Sequence, residues 1–399
     1  MNERLNKIRE EHDEKEYKRL TELTYEGAKR RYGTPIPKEV DNRIRYELQT
    51  IKDAGSLLVT EFLRWHEYVN VARNELDSLV GTGFNSEPGS LVAYCLGGTG
   101  VDPLKYNLLF ERFLTSDCID KRKLNFHIYV ENREVRKKLV LWIMDHYYGI
   151  ESRIGDGLTL ELQKEAITII KKTRRVDIDL NNIPIDDELT YQLYQEGKTN
   201  DLFQFRSATM QEHLRALRPT TFEELVALNA LYRPGLMEKI PQFIDRKHGR
   251  KPITYSLPCM GQHLKETYGL MIYQEQLMLL AQHIADFTPI ESDTLRLAIN
   301  KKEQDTLNVM KPKFIEGGKK NGHDPVVLED IWNDCVTNAC YLFLKSHAVS
   351  YTRMDYQTAY LKAHYPIEYL AAVLHTTNKQ PEYYTKLMEE IGIKNIELG

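Results

Sequence analysis

The chain has 399 residues, 54 basic and 58 acidic, for a formal balance of −4, with 42% apolar and 28% charged residues. This composition excludes dominant disorder, and no run approaches the ~20 apolar residues of a membrane helix. At roughly 150 residues per domain the length predicts two or three domains.

The first 52 residues carry apolar positions three and four apart (Leu20, Leu23, Ala28; then Ile44, Leu48, Ile51), which predicts amphipathic helices, continued in a more apolar vein over 56–80. The opening Met1–Lys18 is dense in charge, so no secretory signal is expected and the chain reads as cytoplasmic. A glycine-rich break runs from Gly81 to Gly100, interrupted by the apolar stretch Leu91–Leu96. Over Leu124–Val130 apolar and polar residues alternate, the period of a half-buried strand. Periodicity lapses between Gly149 and Gly157, and helix resumes over Leu158–Lys172. An acidic connection (Val176–Glu188) leads into a mainly helical second half, punctuated at Arg233-Pro-Gly, His248-Gly, Gly317-Gly318 and Asn321-Gly322. The expected division is 1–152, mixed α/β, and 153–399, mainly α. Five scattered cysteines, an odd number with no C-x-x-C pair, read as reduced thiols.

Several segments have the chemistry of a site. The loop Gly81–Ser90 opens a helix, and a helix N-terminus presents free N–H groups suited to phosphate; Gly89 and Ser90 are its candidates, with Ser90 as a plain cap the competing reading. No Lys-Ser/Thr follows at P-loop spacing, and Glu87 would repel an anion. Asp177 and Asp179 form a candidate cation pair or, alternatively, part of a solvated connection. His66-Glu67-x-x-Asn70 lacks the second histidine of a zinc-protease helix. Basic clusters interleave with aromatics, as on surfaces that contact phosphates and stack on bases.

Long strings then carry a family resemblance. They are Leu104-Lys-Tyr-Asn-Leu-Leu-Phe-Glu-Arg-Phe113, Ala230-Leu-Tyr-Arg-Pro-Gly235, Phe243-Ile-Asp-Arg-Lys-His-Gly-Arg250, Leu264-Lys-Glu-Thr-Tyr-Gly269, Tyr273-Gln-Glu-Gln276, Lys345-Ser-His347 and Tyr356-Gln-Thr-Ala-Tyr-Leu-Lys-Ala-His-Tyr-Pro366. In order and over roughly 15–115 and 160–375, they resemble the alpha subunit of bacterial DNA polymerase III, a C-family replicative polymerase. The resemblance implies a nucleotidyltransferase-like palm, incomplete here, followed by helical fingers. It implies that the phosphoesterase-like, clamp-binding and oligonucleotide-binding modules are absent, with the thumb and much of the second palm half missing near 149–158. By resemblance the function is template-directed DNA synthesis, the ligands are primer–template DNA and deoxynucleoside triphosphates, replisome subunits are partners and Mg²⁺ is the cofactor.

In that family two metal ions ~4 Å apart serve phosphoryl transfer and need carboxylate ligands. The family draws two of its three catalytic aspartates from one strand with an Asp-x-Asp-x-Asp pattern; counting from Phe113, those alternating positions hold Lys123, Asn125 and His127 instead. The third would fall near Arg153, where Asp156 is the one nearby carboxylate, a weak catalytic candidate; no metal ligand is assigned. Phe84 stands where the family has a loop arginine, Arg206 where it has Glu, Leu344 where it has Asn, and Ile299-Asn300 where it has Met-Gly. The resemblance therefore implies impaired catalysis, or alternatively a non-catalytic DNA- or nucleotide-binding module. Arg233, Arg246, Lys247, Arg250, Lys301, Lys302 and Lys345 are the expected phosphate donors. Tyr273, Gln274, Glu275, Ser346 and His347 are expected to form a polar cluster at the nucleotide site, with turns and caps of a helical core as the competing role.

Overall fold

Residues 2–115, 126–147, 153–377, 381–390 and 392 are described in a computed structural model. The described part is mostly helical with one small parallel sheet, and it falls into two units. The first comprises 1–183, 201–203 and 353–399; the second comprises 184–200 and 204–352.

In the first unit, α1 (Asn2–Tyr32), α2 (Lys38–Asp53) and α3 (Ser56–Asn70) follow the expected amphipathic periods. Their inner faces bury Leu20, Ile44, Ile51, Phe62 and Trp65 completely. Trp65 stacks on Phe126 with ring centroids 4.5 Å apart, and Phe62 meets the same ring edge-on at 4.9 Å. The short α4 (Leu91–Cys95) is also buried. Two strands, β1 (His127–Val130) and β2 (Arg153–Asp156), pair in parallel with His127 opposite Arg153 and Val130 opposite Asp156. Between them lies α5 (Arg133–His146), capped by Asn132, because parallel neighbours need a crossover connection. The expected strand began at Leu124; 121–125 lie outside the described residues.

Then come α6 (Leu158–Arg174) and, in the second unit, α7 (Glu188–Gln195), α8 (Ala208–Leu217), α9 (Phe222–Leu231), α10 (Ile240–Lys247), α11 (Gly261–Leu264) and α12 (Gln274–Ala285). They are followed by α13 (Pro289–Lys301), α14 (Gln304–Lys320) and α15 (Pro325–Asn338). Helix α16 (Lys345–His364) contributes its start to the second unit and its remainder to the first, which ends with α17 (Pro366–Thr376) and α18 (Pro381–Glu390). The second unit's core includes Leu277, Ile284, Leu295, Phe314 and Trp332. The capping boxes Thr221/Glu224 and Thr288/Glu291 start α9 and α13.

These units do not divide at the 152/153 boundary expected from sequence. Strand β2 pairs with β1, and α6 packs Ala166 and Ile170 against Tyr369, Leu370 and Val373 of α17, so 153–183 stay with the first unit. The acidic connection is solvated: Asp177 pairs with Lys171, and Asp179 accepts from the Asn181 N–H at 2.9 Å. Asp177 is 81% exposed, so the connection reading holds over a cation pair. The described cysteines Cys95, Cys259, Cys335 and Cys340 are free thiols. Among the described residues, no helix is long and apolar enough to cross a membrane.

One ion pair holds the first unit's helices to α4. The fully buried carboxylate of Glu47 on α2 accepts from the N–H groups of Leu91 (2.9 Å) and Val92 (3.0 Å) and from the Ser90 hydroxyl (2.8 Å). Arg43 pairs with it at 2.6 Å and donates onward to the carbonyls of Gly89 and Leu108. Replacing Glu47 by Gln or Ala leaves Arg43 and the helix donors without their anion. The expected loss is about 3–5 kcal/mol, read as a lower midpoint in urea unfolding.

Candidate functional site

The glycine-rich loop is built by β1. The Gly81 N–H donates to the Tyr129 carbonyl (2.9 Å), and Val80 bridges Val130. Gly89 lies so close to other backbone that an added Cβ would sit 2.7 Å from the Leu109 carbonyl oxygen. Ser90 caps α4, accepting from the Ala93 N–H at 3.1 Å. With Leu91 and Val92 donating to Glu47, the helix N-terminus expected to cradle phosphate is filled by an internal carboxylate. Gly89 and Ser90 thus serve close backbone approach and capping, the competing reading from sequence.

The exposed side of β1 carries a second internal pair. Glu87 is buried, and its carboxylate accepts from the His127 N–H and Nδ1 (both 2.8 Å) and from the Phe84 N–H (3.1 Å). Burial pushes the Glu87 carboxyl upward, while hydrogen bonds from His127 and the two backbone N–H groups pull it back in part. Phe84 covers His127 with ring centroids 4.5 Å apart, and lies 5.5 Å from Tyr129. Asp156, three positions along β2 from Arg153, pairs with Arg136 of α5 at 2.8 Å. Lys123 and Asn125 lie outside the described residues. Among those described, no three His, Cys, Asp or Glu side chains converge as metal ligands. The donors here do not suit Mg²⁺, which wants open anionic oxygens: the Glu87 carboxylate is enclosed by three donors and Asp156 is held by a guanidinium.

In the second unit the structure brings most of the expected polar cluster together. Residues 272–274 run beside 342–343: the Gln274 N–H donates to the Phe343 carbonyl (2.8 Å), the Phe343 N–H to Ile272 (2.9 Å), and Gln274 Nε2 to Leu342 (3.1 Å). This sets Glu275, the second residue of α12, against the first turn of α16. Its buried carboxylate accepts twice from the Lys345 N–H (2.9 and 3.0 Å) and from the Ser346 N–H (3.4 Å). The Lys345 ammonium turns away to Glu266 (2.8 Å) and lies 5.6 Å from the centre of the buried Tyr273 ring. Arg233 lays its guanidinium over Phe343, 3.5 Å from the ring centre, with its buried Nε unpartnered among the described residues. His347 packs between Phe343 and Tyr351.

The other expected donors divide. Lys247 donates internally, to the buried Glu224 (2.7 Å) and the Arg218 carbonyl (2.6 Å). Glu224 also accepts from Tyr268, and Arg246 holds the Tyr268 carbonyl at 2.9 Å. Arg250 pairs with Asp245 on the surface. Lys301 and Lys302 end α13 exposed to solvent, Lys302 in the left-handed region at φ +56°. Glu266, inside the string Leu264–Gly269 but not singled out from it, and Phe343, two residues before Lys345, also belong to the cluster. His66 spends its Nδ1 on the Leu96 carbonyl (2.7 Å), a structural role.

Two family models match: the bacterial DNA polymerase III alpha NTPase domain over residues 18–182 and its finger domain over 159–322. The chain belongs to the bacterial DNA polymerase III alpha subunit family. It is 30% identical to the DNA polymerase III alpha subunit of Aquifex aeolicus over 538 aligned positions, covering 95% of this chain and 45% of that protein. Against that of Bacillus subtilis the identity is 29%, covering 89% and 42%. Against that of Chlamydia pneumoniae it is 43% over 225 residues, 56% of this chain and 18% of the relative. The chain thus spans less than half the length of these relatives. The 538 positions exceed its own 399 residues, so a stretch of the Aquifex protein has no counterpart inside it.

The finger-domain match over 159–322 covers much of the second unit, including Arg233 and Tyr273–Glu275 of the polar cluster, while Phe343 and Lys345–His347 lie beyond it. Within that cluster, burial and the Arg233 charge hold His347 down at about 4, against an ordinary 6.5. The folded state therefore refuses a proton that the unfolded chain accepts. Stability is full above pH ~6.5 and falls as pH drops toward 4, by about 3 kcal/mol, with the slope much reduced in His347→Gln. Denaturant midpoints collected across that range check both.

Proposed function

We propose that this chain is a polymerase III alpha-type protein that binds DNA and deoxynucleoside triphosphates through its helical fingers, with an incomplete palm that does not itself carry phosphoryl transfer. The carrying observation is the His127–Glu87 pair under Phe84, on the strand where the family resemblance puts catalytic aspartates. Lys123 and Asn125 stand at the other alternating positions, and a cationic or neutral side chain is a poor partner for a hard divalent ion. Template-directed DNA synthesis in replication is the activity of the family, and Mg²⁺ is its cofactor by resemblance; this reading gives the chain the binding and not the chemistry. It works in the cytoplasm, on primer–template DNA, beside other replisome subunits.

Binding rests on charge that remains outward. Lys302 presents its ammonium to solvent, Lys301 does so in a loose exposed pair with Glu303 at 3.5 Å, and Arg233 offers a guanidinium already flattened on an aromatic face. The second reading, synthesis by this chain itself, is favoured by the gathering of Arg233, Tyr273, Gln274, Glu275, Lys345, Ser346 and His347 into one cluster.

Primer extension with Mg²⁺ and all four deoxynucleotides separates the two, the expected result being no elongation. Template-dependent elongation abolished by Asp156→Ala would establish the second reading instead. Fluorescence anisotropy on primer–template DNA is expected to give a Kd on the order of 10⁻⁴ to 10⁻⁶ M that weakens steeply with salt. The double variant K301A/K302A should lower the slope of log K against log salt by about 2. A flat salt response would remove the DNA-binding reading.

A further inference from the structure

In the first unit α4 ends in a tight turn. Gly97 lies in the left-handed region at φ +81°, and the N–H groups of Gly97 and Gly98 return to the carbonyls of Tyr94 (3.1 Å) and Ala93 (2.9 Å). A Cβ at position 97 would lie 2.8 Å from Nη1 of Arg73, so the edge of a guanidinium rests against this turn. Arg31 reaches the same turn from α1: its Nη2 is 3.4 Å from the Thr99 carbonyl, and its guanidinium lies over the Tyr94 ring, 3.7 Å from the centre. Arg31 and its neighbour Arg30 are exposed and Arg73 is partly buried, so the cluster opens to solvent on its α1 side.

These cations lack a counter-ion. Among the described residues, no hydrogen bond or ion pair engages Arg73. Burial, and then the Arg31 charge, push its guanidinium down to about 10, and Asp179 alone acts the other way. The Asp179 carboxylate is itself occupied, accepting from Asn181 and Asn182 at 2.8 to 3.1 Å. The turn also carries the fully buried Thr99, whose hydroxyl has no partner among the described residues. A partly buried arginine beside a second arginine, with no anion of its own, is unfavourable alone and becomes favourable once an oxyanion arrives.

We propose that Arg31 and Arg73 bind a phosphate group at the 97–99 turn. The chemistry selects phosphate: the N–H groups of a guanidinium fork onto two oxygens of one anion, and two guanidiniums carry more charge than one carboxylate neutralises. With Arg31 laid on Tyr94 and Arg73 backed by Gly97, both donors are positioned before the anion arrives, which lowers the ordering cost of binding. A free phosphate compound and a nucleic-acid backbone bring the same oxygens, and competition between them identifies the source. The site lies in the first unit, and the inference does not rest on the reading of the fingers.

Calorimetric titration of the full chain with pyrophosphate, in phosphate-free buffer, is expected to show binding that weakens roughly tenfold or more in both R31Q and R73Q. It should be unchanged in R45Q, whose guanidinium is paired with Asp41. No wild-type binding, or wild-type affinity in either site variant, would overturn the proposal. Without phosphate, R73Q should unfold at an unchanged or higher urea midpoint, because it removes a charge the fold leaves unanswered; a lower midpoint would make Arg73 structural and overturn it. Single-stranded DNA added first names the ligand: pyrophosphate heat lost assigns the site to backbone phosphates, and heat retained assigns it to a free phosphate compound. Phenylglyoxal labelling read by mass spectrometry needs no variant. Pyrophosphate should protect Arg31 and Arg73 together, and labelling that it leaves unchanged would overturn the proposal equally.

Discussion

Each unit depends on a buried glutamate that supplies the anion for a helix N-terminus. Glu47 does this for α4 and Glu275 for α16. A helix start leaves several N–H donors unpaired and carries partial positive charge, so an unaccompanied buried start is costly. A carboxylate from another helix removes that cost and fixes the two helices together. Around Glu47 this ties α2 to the end of the glycine-rich loop, and around Glu275 it ties the start of α12 to the start of α16. The same physics that makes a helix start attractive to a phosphate is here used to hold the fold.

That constraint reorders the candidate site residues. At Ser90 the hydroxyl donates to Glu47 and accepts from the Ala93 N–H, so the start of α4 is answered from within. Lys247 and Lys345 are likewise balanced by Glu224 and Glu266, and Lys301 lies 3.5 Å from Glu303, while Lys302 stays exposed beside it. The net charge of −4 hides this division, because buried pairs add nothing to the field a ligand meets. Belonging to the family settles what the fingers are. In the reading proposed above, the palm strand, with His127 tied to Glu87, is where this chain departs from the family pattern.

Local features were legible in the sequence. The helices of the first 53 residues, the start of α6 and the alternation through His127–Val130 follow periods set by one segment alone. The gathering of Tyr273–Glu275 with Lys345–His347 was legible through the family strings. Pairings across the chain were not. Nothing in the text around Glu47 distinguishes it from a solvated helix acid paired with Arg43, since its other partners lie more than forty residues away. The division near 183 depends on α6 packing against α17, a contact no local composition records. Phe343 reads as an ordinary core residue until Arg233 is seen lying on it.

The central claim is that the palm of this chain holds no divalent metal of its own, while the fingers remain those of a polymerase. Electron paramagnetic resonance of Mn²⁺ titrated into the full chain, with primer–template DNA and a deoxynucleotide present, tests it most directly. Manganese substitutes for Mg²⁺ at oxygen sites and has little affinity for isolated imidazoles. The expected result is that Mn²⁺ signals follow the DNA and nucleotide alone and are unchanged by Asp156→Ala. A stoichiometric protein-bound Mn²⁺ that disappears with Asp156→Ala would contradict the account.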